Sequence, residues 1–168
     1  MPSPSELVEP SPNLHGAPDL EDLLPDTAAT VILSKVSLTG EDFYAAGSSA
    51  GRGQVDTLLE ELGAAIADLS VAQAADPGGH LVLQIGAFRV RGIDAGRLLG
   101  AWVSSQQAAM GNRLQVSNAE VAGRHVTRLV DPDHPVGGST YAYAVGDTVY
   151  LVLADDAALL AEVLAALP

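Results

Sequence analysis

The chain has 168 residues, with 8 lysines and arginines against 21 aspartates and glutamates, and a formal net charge of −13. A surface with so few cations argues against a nucleic-acid partner, and the lack of cysteine excludes disulfides, thiolate metal sites and cysteine nucleophiles. The length suits one globular domain with a tail, and no apolar run is long enough to cross a bilayer. We therefore predict a soluble protein without membrane insertion, cytoplasmic unless a leader or anchor has been removed.

Residues 1–26 have the composition of a flexible acidic tail, which places the globular domain at 27–168. Prolines interrupt this segment throughout: Pro2, Pro4, Pro10, Pro12, Pro18 and Pro25. Leu20, Leu23 and Leu24 are an exception, because their i, i+3, i+4 spacing would allow one helical turn to dock on the domain. The alternative for these leucines is a fluctuating segment.

From Ala28 the pattern becomes that of a mixed α and β domain. The predicted elements of its first half are a strand over 31–38, a short helix over 41–47, a helix over 55–63, and strands over 69–75 and 81–90. Within the last of these strands, the apolar residues move from odd to even positions. A β-bulge at Gly86 would let both sets face one core, and we predict one there.

The second half begins with a helix that Asp94 caps and Gly111 ends. The elements that follow are strands over 114–121 and 125–130, a hairpin over 141–153 and a final helix capped by Asp155. In the hairpin, Gly146 and Asp147 suit a two-residue turn with positive φ at the glycine.

The register of this hairpin places Tyr143 opposite Tyr150 and puts Tyr141 on the same face. The other face carries Ala142 and Ala144, which are small enough to let the final helix lie close against it. The three tyrosines would then be either exposed or covered by another part of the chain.

Together these elements predict an α+β domain, with an antiparallel-rich sheet of about six or seven strands packed in two layers with two or three helices. The order strand, Asp-Pro, Gly-Gly, strand and Asp-capped helix occurs around 76–94 and again around 131–155. This repetition raises the hypothesis of a divergent internal duplication, although turns reuse the same residues for local reasons.

Two segments carry candidate catalytic chemistry. Residues 47–51 match the G-x-S-x-G pattern of serine hydrolases, and Asp131 or Asp133 and then His134 follow in the matching order. That mechanism needs the serine directly between a strand and a helix, whereas residues 40–46 intervene here. A flexible loop is the favoured interpretation, and a small hydrolase using this loop stays an alternative.

The turn at 131–134 concentrates Asp131, Asp133 and His134, which are weak candidates for a divalent-cation site and for a metal-assisted hydrolase. An EF-hand loop would need other residues where Pro135 and Val136 stand. We favour turn chemistry for this segment and predict no metal and no cofactor.

The tyrosines lead to the functional hypothesis that we favour. Tyr141, Tyr143 and Tyr150 would form an aromatic binding surface if the helices cover the alanine side, whereas the alternative places them in the main core. We expect a non-catalytic binding or interaction domain, whose partner is an unknown protein or a small apolar ligand, with weak homo-oligomerisation as one outcome. A small apolar-ligand carrier, with a pocket between sheet and helices, is a further alternative.

Overall fold

A seven-stranded antiparallel sheet organises the fold of the computed structural model, which describes residues 11–111, 113–133 and 139–168. In chain order the elements are α1 (Pro18–Glu21), β1 (Thr27–Ala28), β2 (Val31–Ile32), β3 (Ser34–Thr39), α2 (Gly40–Ala46), α3 (Ser49–Leu62), a 3₁₀ turn (Ile66–Asp68), β4 (Leu69–Ala75), β5 (Leu83–Val90), α4 (Ala95–Ala109), β6 (Gln115–Val121), β7 (Arg124–Val130), β8 (Ser139–Val145), β9 (Thr148–Ala154) and α5 (Ala157–Ala166). The strand order is β3-β4-β5-β9-β8-β7-β6, and β1 and β2 form a separate pair. This arrangement confirms the predicted α+β class and antiparallel sheet.

Helices cover both faces of the sheet, so the predicted two layers are wrong and the domain has three. The Tyr143 face, which also carries Tyr150 and Val152, packs against α5 and the N-terminal segment 17–33. The Phe88 face, which also carries Val149, packs against α3 and α4. The physical reason is that β5 and β9 are apolar on both sides, and each side needs a cover.

β5 pairs with both neighbours without a bulge, which corrects the prediction at Gly86. Ile85 lies in the core of the Tyr143 face and Phe88 in the core of the Phe88 face. The change from odd to even apolar positions therefore reflects two cores on opposite sides of one regular strand.

The final helix also differs from its prediction. α5 packs on the Tyr143 face, and α4 covers the side that carries Ala144. Its N-cap is Asp156, not Asp155, because the Asp156 carboxylate accepts a hydrogen bond from the Leu159 amide at 2.8 Å. α4 and α5 lie on opposite faces of the sheet, so the two helices that the duplication hypothesis relates to each other pack differently.

Several local predictions are confirmed. Tyr143 lies opposite Tyr150, and Gly146 has a φ of +62°. Asp94 caps α4 by accepting hydrogen bonds from two amides, and Gly63 ends α3 in the left-handed conformation. Each of these features depends on contacts within a few residues.

The N-terminal segment is more ordered than the predicted tail. His15 bridges β3 as a short parallel strand, and α1 follows it. Leu20 and Leu24 are both buried in the core of the Tyr143 face. Of the two alternatives for these leucines, the structure has the helical turn docked on the domain, so part of the segment predicted as a tail packs against the sheet.

A buried serine holds this segment in place. The Ser37 hydroxyl accepts a hydrogen bond from the Ala17 amide at 3.0 Å and donates one to the Glu21 carboxylate at 2.9 Å. His15 contacts the same carboxylate at 3.0 Å. Partial burial of Glu21 works against ionisation, but the bonds from His15 and Ser37 outweigh it and lower the pKa of this carboxyl.

Among the described residues, no helix has both the length and the apolar character needed to span a membrane.

Candidate functional site

The two central tyrosines of the hairpin are core residues, not a binding surface. Tyr143 and Tyr150 are 4% and 2% exposed, and their rings stack with centroids 5.2 Å apart. The Tyr143 hydroxyl donates a hydrogen bond to the Pro168 carbonyl at 3.3 Å, and the Arg124 guanidinium lies 4.8 Å from the ring centroid. Tyr141 is half-buried beside Arg128. An aromatic surface made of all three rings is therefore absent from this face.

Burial of Tyr143 leads to a prediction at alkaline pH. Desolvation raises the pKa of its phenol to about 12, so the neutral form stabilises the fold below the unfolded pKa of about 10. This contribution is lost as the pH rises from about 10 through about 12, and the free energy of unfolding falls by roughly 2–3 kcal/mol over that range. We expect urea unfolding at increasing pH to show this loss in the native chain and a smaller loss in Tyr143→Phe.

The matched control is Tyr141→Phe, which removes the same hydroxyl from a half-buried ring. If the native chain and Tyr143→Phe lost the same stability at alkaline pH, the loss could not come from ionisation of Tyr143.

The structure does not bring the candidate hydrolase residues together. Ser49 begins α3, and Ser48 caps that helix by accepting a hydrogen bond from the Gly51 amide at 3.2 Å. Gly47 and Gly51 share a cleft lining with residues of β4, whereas Asp131 and Asp133 follow β7, four strands away in the sheet. At about 4.8 Å per strand this separation is roughly 19 Å. His134 lies outside the described residues.

Asp133 makes two polar contacts in the described part of the chain. Its amide donates to the Asp131 carboxylate at 2.9 Å, and its own carboxylate pairs with Arg113 at 2.6 Å. Within the ranges that the structure describes, no group of three histidine or acidic side chains could hold a metal ion.

The cluster of His15, Glu21 and Ser37 contains the residue types of a catalytic triad in the wrong order. A hydrolase needs the histidine between the serine and the carboxylate. Here Glu21 lies between the other two, so the Ser37 hydroxyl donates to a carboxylate and not to the imidazole of His15. This cluster holds the N-terminal segment in place.

A cleft on the Phe88 face is the strongest candidate site. It has a volume of about 250 Å³ and lies between α2 and α3 on one side and α4 on the other, with β4, β5 and β9 as its floor. The apolar residues that line it are Phe43, Val55, Leu58, Leu69, Val71, Phe88, Trp102 and Leu151. Phe43, Val71 and Trp102 are only half-buried, and the cleft is thus open to apolar contact.

A missing side chain helps to form the floor of the cleft. Gly86 faces it from β5, and a Cβ built there would lie 3.6 Å from the Leu151 Cβ, an ordinary contact distance. Phe88 and Trp102 form one end of the apolar surface, with ring centroids 6.1 Å apart and planes tilted by 51°. A larger residue at 86 would occupy part of this space without a clash at its Cβ.

Among the described residues, Arg52 is the only charged one that lines the cleft. It donates hydrogen bonds from Nε to the Gly47 carbonyl at 3.0 Å and from Nη2 to the Ala45 carbonyl at 3.4 Å. Its guanidinium also lies 5.7 Å from the centroid of the Tyr44 ring. The Tyr44 hydroxyl donates to Asp56 at 3.0 Å, which raises the pKa of the phenol.

A second depression of about 190 Å³ is polar and has balanced charge. Its lining includes Arg89, Arg91, Asp68 and Asp147. Arg89 already pairs with Asp19 and lies 4.0 Å from Asp147. This depression offers little apolar surface and is the weaker candidate.

Sequence reasoning did not identify the cleft. Its lining comes from six separate elements, and no local motif connects them. At Gly86 the sequence pattern predicts a bulge and not the floor of a cleft. A glycine within an otherwise apolar strand was the one signal that a space lies above it.

Comparisons of the chain with protein-family models, with curated proteins and with solved structures find no match.

Proposed function

We propose that this protein is a non-catalytic binding domain that holds a small apolar ligand in the cleft on the Phe88 face. The observation that carries the proposal is the cleft itself, which is lined by aromatic and aliphatic side chains together with a few polar ones. Ligand sites have this composition, because burial of apolar surface supplies affinity and a few polar groups fix orientation.

The volume sets the size of the ligand. An apolar cavity of roughly 150 Å³ holds one benzene molecule, so a cleft of about 250 Å³ suits an apolar group of roughly ten carbon atoms. Residues that could perform catalysis are not gathered around the cleft in the described part of the chain, since Ser37 and Asp133 both lie elsewhere. This distribution favours binding over an enzymatic function.

The chain contains a reporter for the test. Trp102 is its only tryptophan, and it lines the cleft. We expect 1-octanol to change the Trp102 fluorescence in a saturable manner and to raise the Tm with concentration, because a ligand that binds the native state stabilises it. No saturable change in either measurement would contradict the proposal.

Gly86→Leu is the matched cleft variant, because its side chain occupies the floor where the ligand would lie. We expect it to fold and to reduce octanol affinity by about tenfold or more, which corresponds to roughly 1.4 kcal/mol or more. Gly53→Ala is the control, since a Cβ at Gly53 meets no atom within 4 Å. Native affinity in Gly86→Leu would place octanol elsewhere, and Gly86→Ala should show an intermediate effect.

A further inference from the structure

We propose that the ligand of the cleft carries one anionic head group, and that Arg52 binds this group at the border of the cleft. This inference rests on the proposed function and adds a ligand class to it, namely medium-chain carboxylates and similar anionic amphiphiles. The structural reason is the charge of the lining, which differs in sign from the charge of the chain.

The chain has a formal charge of −13, yet the one charged side chain that lines the cleft in the described part of the chain is a cation. The remaining polar side chains of the lining are uncharged: Tyr44, Gln54, Gln73, Ser105 and Gln106. An anionic head group would meet no carboxylate in this lining, whereas a cationic head group would meet Arg52. Coulomb's law therefore favours an anion at this position.

Arg52 is held in position but keeps its charge. Its hydrogen bonds go to the carbonyls of Ala45 and Gly47, which are neutral acceptors. Within the described ranges it forms no ion pair, and its Nη1 atom donates no hydrogen bond. A carboxylate at the border could accept a charge-assisted hydrogen bond from this group.

Asp56 follows Arg52 by one helical turn of α3, is exposed and accepts the hydrogen bond from Tyr44. Asp56 does not line the cleft. It therefore leaves the border open to an anion, although its charge reduces the attraction that Arg52 exerts.

The experiment compares three probes that share an octyl chain: octanoate, 1-octanol and octyltrimethylammonium. Each is titrated at low salt into the full chain, with Trp102 fluorescence as the readout. We expect octanoate to bind about tenfold more tightly than octanol and octyltrimethylammonium to bind least. Added salt should reduce the advantage of octanoate, because exposed charges are screened.

Arg52→Gln should lower octanoate affinity to about that of octanol in the same variant, and octanol binding that remains saturable shows that the cleft is still formed. Arg113→Gln is the control for net charge, because Arg113 is an exposed arginine that does not line the cleft. Equal binding of octanol and octanoate, preference for the ammonium probe, or an octanoate preference that survives in Arg52→Gln would overturn the inference and leave the proposed function in place. Failure of all three probes to bind would overturn both.

Discussion

Replacement of Gly40 by alanine is expected to lower the free energy of unfolding by about 3 kcal/mol or more, at the upper end of what overpacking costs. Gly40 is the first residue of α2 and is buried against the 3₁₀ turn that precedes β4. A Cβ at this position would lie 2.0 Å from the Ile66 carbonyl oxygen and 2.9 Å from the Leu69 Cβ. Because the first of these atoms belongs to the backbone, no rotation of a side chain can relieve the contact.

The clash at Gly40 would also change the shape of the cleft. α2 carries Phe43, which lines the cleft. A shift of α2 away from the 3₁₀ turn would displace this ring. We therefore expect Gly40→Ala to weaken octanol binding as well as stability, and both effects to appear in a sample that keeps its secondary structure.

Urea unfolding monitored by circular dichroism measures the loss of stability. Gly53→Ala is the matched control, because the same methyl group enters a helix with no atom within 4 Å. Here the better helix propensity of alanine should raise stability by about 0.5–1 kcal/mol. If Gly40→Ala were as stable as the native chain, the close approach of α2 to the 3₁₀ turn would be incorrect.

The sequence predicted best those features that local contacts decide. The register of the β8–β9 hairpin follows from a two-residue turn, and the end of α3 follows from Gly63 in the left-handed conformation. The cap of α4 by Asp94 involves amides only two and three residues away. Turns and helix caps can be predicted because the residues that determine them are only a few positions apart in the sequence.

The sequence did not predict which face each helix covers. The β8–β9 hairpin has two faces that are both apolar, so its pattern contains no preference between them. The small residues Ala142 and Ala144 pointed to α5, but α4 takes that side, and α5 covers Tyr143 and Tyr150. Such a choice depends on the packing of the whole domain and not on the hairpin alone.

The candidate site was missed for a related reason. Phe43, Gly86 and Trp102 are far apart in the sequence and meet only after the sheet and both helices have formed. Each residue has an ordinary local explanation, as a helix residue, a strand glycine or a core tryptophan. The space above Gly86 can be recognised as part of a cleft only when the positions of the helices above the strand are known.

Replacement of Leu20 by alanine is expected to lower the free energy of unfolding by about 2–5 kcal/mol, the usual cost of truncating a buried leucine. Leu20 is 0% exposed and belongs to the same buried cluster as Ala74 of β4 and Ile85 of β5. Its helix is also tied to the sheet by the ion pair between Asp19 and Arg89, which lowers the pKa of Asp19. A segment with the composition of a tail thus supplies part of the core.

Leu14→Ala is the control for this prediction, since Leu14 precedes α1 and is 51% exposed. The same truncation there should cost less than about 1 kcal/mol, because most of its surface is already in water. If both variants unfolded at the same urea concentration as the native chain, residues 14–24 would contribute no stability and would behave as the flexible tail that their prolines and acidic residues indicate. A large loss of stability in Leu20→Ala alone would show that this segment packs on the domain despite its prolines and acidic residues.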